Sequence, residues 1–227
     1  MDIDWFHLIT KPGAQKQYNI SASGGDAKTK FFASAGYFFQ DGTSLKADFQ
    51  RVTGNLKVTH NVNDKLSLTT KVSAGSTLQN SILASDGPGG SGLYFGNPSY
   101  VSYVLRPTQN PYNPDGTLNI SPTNLGFPGH YNPLYIAQND KRWLKGLNAI
   151  ANQNVEYKIL PGLKFSTTIN MQYTLNEEYQ FNNPFHGDNS GASGEGVSIV
   201  TRAFLTDLIN QLDYHYDINK AKRFYAD

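Results

Sequence analysis

Five histidines, His7, His60, His130, His186 and His215, are scattered along 227 residues, and no two stand at the spacing of a metal-binding pair. Glu177 and Glu178 are neighbours, so in an extended chain they point to opposite faces and are ill placed to share a proton transfer; a solvated loop start is the simpler reading. The run Asp86-Gly87-Pro88-Gly89-Gly90-Ser91-Gly92 is glycine-rich, but it lacks the Gly-Lys-Ser/Thr ending and the strand-to-helix setting of a phosphate loop. Asp188 and Asn189 offer oxygens without the spacing of a calcium loop, and no Gly-x-Ser-x-Gly elbow occurs. Cysteine is absent, which excludes thiolate zinc sites, cysteine nucleophiles and a disulfide scaffold. Nothing here argues for catalysis, a metal or a cofactor.

The remaining candidates are groups that bind. Between Asn80 and Asp140 stand Tyr94, Phe95, Tyr100, Tyr103, Tyr112, Phe127, Tyr131 and Tyr135. They form either the segment's own small core or a surface on which sugar rings or peptide side chains stack, with Tyr94, Tyr103, Tyr112, Tyr131 and Tyr135 as the candidate contacts. A second set, Lys57, Lys71, Asn148, Asn152, Asn154, Lys164, Asn170 and Gln172, sits on one side of alternating segments. It either lines a substrate path, with Asn170 and Gln172 as candidates, or hydrogen-bonds to water or an inserted domain.

Those segments define the fold. From 162 to 176, Leu163, Phe165, Thr167, Ile169, Met171, Tyr173 and Leu175 alternate with Lys164, Ser166, Thr168, Asn170, Gln172, Thr174 and Asn176, the period of a strand with one apolar face. A helix would force Asn, Lys and Gln into its buried stripe. Residues 66–78 and 28–39 behave alike, and 17–23, 49–61, 143–159 and 198–217 do so less regularly, with Ile150, Gln153, Ile199 and Asn210 out of step; an eighth strand begins near Lys222. The longest run to roughly 18 residues, where globular strands average about 5 to 6 and a membrane-crossing strand needs about 9 to 11. Aromatics such as Phe31, Tyr37, Phe39, Phe49, Trp143, Tyr157, Phe165, Tyr173, Tyr214 and Tyr216 gather toward strand ends, as interfacial girdles do.

Connections alternate in length. Those at 24–27, 62–65, 160–162 and 218–221 are short; those at 40–48, 80–141 and 177–197 are longer. Tight periplasmic turns and long extracellular loops give a transmembrane barrel this parity, whereas a β-sandwich has no reason to sort its loops. Of 11 prolines, eight lie between Pro88 and Pro133, and Pro12, Pro161 and Pro184 fall in connections, so none interrupts a ladder. A net charge of +1 and pI near 7.8 argue against a nucleic-acid groove. Charged residues are only 16% of the chain, and 22 asparagines help to make up the polar surface. No apolar run reaches the length of a membrane helix, and the mean hydropathy of −0.47 does not exclude a barrel, in which only every second residue meets lipid.

Further residues carry a resemblance. Trp5, then Gln17-Tyr18-Asn19-Ile20-Ser21-Ala22-Ser23-Gly24-Gly25, Lys28-Thr29-Lys30-Phe31-Phe32-Ala33-Ser34-Ala35-Gly36-Tyr37-Phe38-Phe39-Gln40-Asp41-Gly42 and Asp48-Phe49-Gln50-Arg51 resemble the early barrel of SusC/RagA-type TonB-dependent outer-membrane receptors. Asn110-Pro111-Tyr112-Asn113-Pro114-Asp115-Gly116, Asn132-Pro133-Leu134 and Leu160-Pro161-Gly162-Leu163-Lys164-Phe165 fit the same family's loops and turns. The likeness covers most of the chain and is strongest from Trp5 to Asn80. It implies an all-β, antiparallel transmembrane β-barrel segment, seven or eight long strands of a barrel of the 22-stranded class. It also implies that residues 1–227 are part of a receptor barrel domain, with long loops at about 80–140 and 177–197 and the plug domain absent. By the same resemblance the protein resides in the outer membrane of a Gram-negative, Bacteroidetes-like bacterium and is no enzyme. It works with a SusD-like surface lipoprotein, a TonB-type energy transducer acting through the plug, outer-membrane lipid, and an oligosaccharide or peptide substrate; no nucleic acid is involved. Two rival readings remain: a small eight-stranded barrel acting as anchor or adhesin, and a secreted carbohydrate-binding all-β domain whose sheets bury a core between them.

Overall fold

The structure, a computed structural model, describes residues 2–81, 98–121, 125, 131–219 and 222–226, with 216–219 and 222–226 described as backbone. Eight strands, β1 (Ala14–Gly25), β2 (Thr29–Asp41), β3 (Asp48–Asn61), β4 (Leu66–Asn80), β5 (Lys141–Leu160), β6 (Leu163–Asn182), β7 (Glu195–Asn219) and β8 (Lys222–Ala226), form one sheet. Their order in space is their order in sequence, and every neighbouring pair is antiparallel. Among the described residues β1 and β8 do not pair with each other, so these strands do not close into a small eight-stranded barrel.

Residues directly opposite in an antiparallel ladder share a face, so the register extends the alternation from one strand to the whole sheet. Ala33, Leu56, Val72, Ala151 and Met171 form one continuous row. One step away, on the other face, runs Phe32, Lys57, Lys71, Asn152, Asn170 and Asp207. The apolar face is uncovered: Ile20 is 74% exposed, Leu208 60% and Val72 39%. The buried apolar side chains among the described residues, Trp5, Ile9, Val101, Leu105, Leu125, Leu134, Ile136 and Ala137, all lie outside the sheet. A secreted sandwich would bury its sheet faces against each other; among the described residues the sheet has no second layer, which opposes the reading as such a domain.

On β6 the uninterrupted apolar side runs from Phe165 to Leu175 and ends at Glu177, which lies opposite Lys145 on β5. Ten residues of strand span about 33 Å, and a tilt of about 35–45° reduces this to roughly 23–27 Å of height, the size of the apolar band of about 25 Å on such barrels. Tyr157, Phe165 and Leu212 bound the band on one side. Trp143 stacks on Tyr179 at 5.6 Å beyond the other, with Lys145 Nζ 4.4 Å from the Trp143 ring centre. Phe49 departs from the expected girdle: it lies opposite Gln40 and Gln79, on the polar face. Of the residues out of step, Ile150 pairs with Ser73 and Gln172 on the polar face, while Gln153 sits on the apolar one, where it accepts the Thr70 hydroxyl at 2.6 Å.

The connections sort by rim as the parity requires. At one rim, Asp26 Oδ1 accepts from the backbone N–H of Lys28 and Thr29, and Asn63 Oδ1 from those of Lys65 and Leu66, each closing a tight turn. Gly162 closes the third at φ +83°. The other rim carries residues 42–47, 81–140 and 183–194. Two expectations need correction there. β6 runs on to Asn182 and β7 resumes at Glu195, so the last loop is shorter than 177–197. Glu177 and Glu178 are therefore strand residues rather than a loop start, and Glu178 accepts a hydrogen bond from Arg142 at 2.7 Å. The described residues of the long loop include α2 (Pro98–Val104) and α3 (Pro133–Asn139), which pack with α1 (Trp5–Ile9) at the same rim.

Candidate functional site

The polar face of the sheet is an amide ladder. Asn148 donates to Thr174 Oγ1 at 3.0 Å and Asn154 to Thr168 Oγ1 at 2.8 Å. Between them Asn152 donates to Asn170 Oδ1, and Asn170 in turn donates to Asp207 at 2.6 Å. Gln172 stands one step along, opposite Ile150 and Leu205. Asn170 and Gln172 thus lie on the same face, as the alternation requires. Toward the short-turn rim Lys164 approaches Asp213 at 3.2 Å and Glu156 at 3.9 Å. Amides and hydroxyls that bond across strands keep the wall ordered yet retain spare donors and acceptors for water or a polyhydroxylated solute.

At the long-loop rim the chain builds two small cores. In the first, Trp5, Val101, Leu105 and Leu125 pack together with Ile3 and Leu8 beside them, and Trp5 Nε1 donates to the Arg106 carbonyl at 3.1 Å. The second is polar. Asn132 is fully buried; its Nδ2 donates to the carbonyls of Pro111 at 2.8 Å and Asn119 at 3.0 Å, and its Oδ1 caps α3 through the Leu134 N–H. Its own N–H donates to His186 Nε2 at 2.7 Å. Asn183 repeats the device one loop away: its Nδ2 donates to Asp140 Oδ1 at 2.6 Å and to the His186 carbonyl at 2.7 Å, and its Oδ1 accepts from the N–H groups of Phe185 and His186. Burial lowers the His186 pKa from 6.5 to about 4 and raises that of Asp140, against the donors of Asn183. The imidazole is therefore a neutral acceptor that ties the loop at 81–140 to the loop at 183–194.

The candidate tyrosines divide. Tyr131 and Tyr135 stand edge-on to His186, with ring centres at 5.1 and 5.4 Å; burial, with Asp188 nearby, raises the Tyr131 phenol pKa. Tyr135 also lines, with Tyr112, Asn113, Thr117, Gln138 and Asn139, an open cleft of about 660 Å³. Tyr103 is 72% exposed and lies against Phe6, apart from that cleft. Tyr94 lies outside the described residues. Among the described residues, Tyr103 and Tyr112 are thus exposed, whereas Tyr131 and Tyr135 are half-buried against His186. His186, Asn132, Asn183 and Asp140 were not among the expected site residues, although the Asn132-Pro133 pair is a helix-capping signal with proline at N1. Asn183 is a local partner of His186, three residues away, but Asn132, Tyr131 and Tyr135 are more than 50 residues from it and leave no local trace.

One sheet of long strands, apolar on one face and amide-lined on the other, with loops sorted by rim, defines a segment of transmembrane β-barrel wall. The chain's relatives agree with that class. TonB-dependent receptor P39 of Formosa agariphila is 28% identical over 79% of this chain, and TonB-dependent receptor P3 of the same organism is 27% identical over 73%. The chain spans only 16% of the length of either relative. Among solved structures, one of the RagAB peptide transporter matches 97% of this chain with a TM-score of 0.72 at 22% identity, and one of the RagAB peptide importer in its closed-closed state matches 96% with 0.73 at 21%. The chain covers 24% of either structure's matched chain, and at these identities the likeness is one of fold. No family model matches. In sequence and fold together the chain is similar to a stretch of a SusC/RagA-type TonB-dependent receptor barrel.

Proposed function

We propose that this chain is wall and outer loops of a TonB-dependent nutrient importer in the outer membrane of a Gram-negative, Bacteroidetes-like bacterium. The observation that carries the reading is the eight-stranded sheet with one apolar and one amide-lined face and, among the described residues, no second layer over either. In hydrocarbon every backbone N–H and C=O must be paired, and a long antiparallel ladder does this while its alternate side chains meet lipid. The short-turn rim is then periplasmic, and a TonB-type transducer acts there through a plug region. A SusD-like lipoprotein meets the long-loop rim, and an oligosaccharide or peptide is captured between them. Tyr112, Tyr131 and Tyr135 are the loop contacts for that cargo, with Tyr94 and Tyr103 as further candidates; Asn170 and Gln172 line the path below. Binding and passage of cargo, rather than bond-breaking chemistry, is the role of these residues.

The test is heat-modifiability. Full-length protein extracted from outer membranes in detergent should run as a compact band unheated and shift on boiling, as closed barrels do. Extraction into buffer without detergent, or one band under both conditions, would overturn the reading.

A further inference from the structure

The polar face treats its cations in two ways. On β5–β7 two of the three are paired, Arg142 with Glu178 at 2.7 Å and Lys164 with Asp213 and Glu156, while Lys158 stands opposite Lys164. On β1–β4 the same face carries Lys30, Arg51, Lys57 and Lys71, all exposed, and the register brings no carboxylate onto that face of these four strands. Among the described residues none of the four cations has a salt-bridge partner, although Arg51 lies over the Phe38 ring at 5.3 Å. Lys57 and Lys71 are directly opposite each other, an arrangement that is destabilising for like charges. Lys30 stands opposite Thr59, two residues along β3 from Lys57.

We propose that this half of the wall is an anion track, on which Lys30, Arg51, Lys57 and Lys71 bind and pass the carboxylate or sulfate groups of an acidic oligosaccharide. The inference rests on the importer reading and specifies its cargo. From Arg51 to Thr59 the cations extend over eight residues of β3, about 27 Å along the strand, so they form a path along the barrel rather than a single point. Asn55 and Ser73 on the same face, and Asn152 opposite Lys71, supply the amide and hydroxyl groups that sugar hydroxyls require. Phe32, Phe38 and Phe49 lie on the same face of β2 and β3, apolar surface against which the nonpolar faces of sugar rings can stack.

Full-length protein in detergent is titrated calorimetrically with tetragalacturonate and with a sulfated tetrasaccharide, using maltotetraose as the neutral control and tetraglutamate as the acidic peptide. At least one acidic sugar should bind more tightly than maltotetraose, and its affinity should fall as salt rises. The double variant Lys57→Gln/Lys71→Gln should weaken that binding about tenfold or more, and Lys57→Arg/Lys71→Arg should restore it. Each variant is first checked for the heat-induced band shift, which separates loss of the barrel from loss of the track. If the shift persists, three results overturn the anion track and leave the importer reading standing: no acidic sugar binds, binding ignores the double variant, or tetraglutamate alone binds. A fourth does the same: the double variant leaves sugar binding intact but exposes the full-length protein to protease, which would mean that the lysines hold a folded domain.

Discussion

His186 Nε2 accepts the backbone N–H of Asn132 at 2.7 Å, and this bond joins two outer loops across 54 residues of sequence. Only the neutral imidazole can accept it. Burial has lowered the His186 pKa from 6.5 to about 4, so the stabilisation is fully present above about pH 6.5 and is removed as pH falls from there toward 4. The slope is about 1.4 kcal/mol per pH unit, or about 3 kcal/mol over the window. The half-buried carboxyl of Asp140, with its pKa raised, acts in the opposite sense and trims the loss at the acid end. Hydrogen exchange at the Asn132 amide, corrected for its intrinsic pH dependence, should show protection falling across this window. His186→Gln, whose amide oxygen can accept the same bond without titrating, should flatten the profile.

The Asn132 side chain serves three backbone groups from a fully buried position. Asn132→Ala leaves the Pro111 and Asn119 carbonyls without their side-chain donor and uncaps α3. At about 1 kcal/mol for the cap and at least that for each carbonyl, the loop should become less stable by about 3 kcal/mol. Asn132→Asp keeps the cap acceptor and loses both donors, so it should be intermediate. Exchange across residues 105–140 would measure both, and protection in β5 and β6 should be unchanged.

How much of this was legible in the sequence follows from which forces are local. The alternation of Leu163 through Asn176 shows in the residues because a strand's two faces meet different solvents, and the paired register then places Asn170 and Gln172 without further information. The rim parity was equally plain, since Asp26, Asn63 and Gly162 announce tight turns. What did not show was α1, five residues long and held by Val101, Leu105 and Leu125 from a distant loop. The polar latch was equally hidden, because Asn132 and Asp140 meet His186 and Asn183 only once the sheet has set the two loops side by side. The end of the last long loop was misplaced because Glu177 and Glu178 read as solvated residues, whereas the strand carries them beyond the apolar band, where charge is tolerated.

Gly162 tests the periplasmic turns. At φ +83° a Cβ there would lie 2.2 Å from the carbonyl oxygen of His215, so a side chain is opposed by both backbone strain and a backbone clash. Gly162→Ala should cost more than the roughly 1 kcal/mol of a left-handed residue alone, because β7 must move away from the turn. The expected result is a lower yield of heat-modifiable full-length protein in the outer membrane. Gly116→Ala shares the strain, at φ +84°, but a Cβ there meets nothing within 4 Å, and it should leave the yield near wild type.

Ile169 and Asn170 are sequence neighbours on opposite faces of β6: Ile169 lies opposite Gln153 and Leu208, Asn170 opposite Asn152 and Asp207. Ile169 falls four residues from Phe165 and six from Leu175, near the middle of the apolar band. Arginine at a lipid-facing midplane position costs about 2–4 kcal/mol in barrels of this kind, whereas arginine facing a wet interior does not meet that penalty. At Asn170 the new guanidinium would even stand beside Asp207. In the full-length protein, Ile169→Arg should therefore reduce outer-membrane insertion, measured as the heat-modifiable fraction, well below that of Asn170→Arg. The pair differs by one residue in position and not at all in the side chain introduced, so propensity and net charge cancel and only the facing remains. Equal tolerance of the two would mean that the apolar face does not meet lipid, and the barrel reading would fall with it.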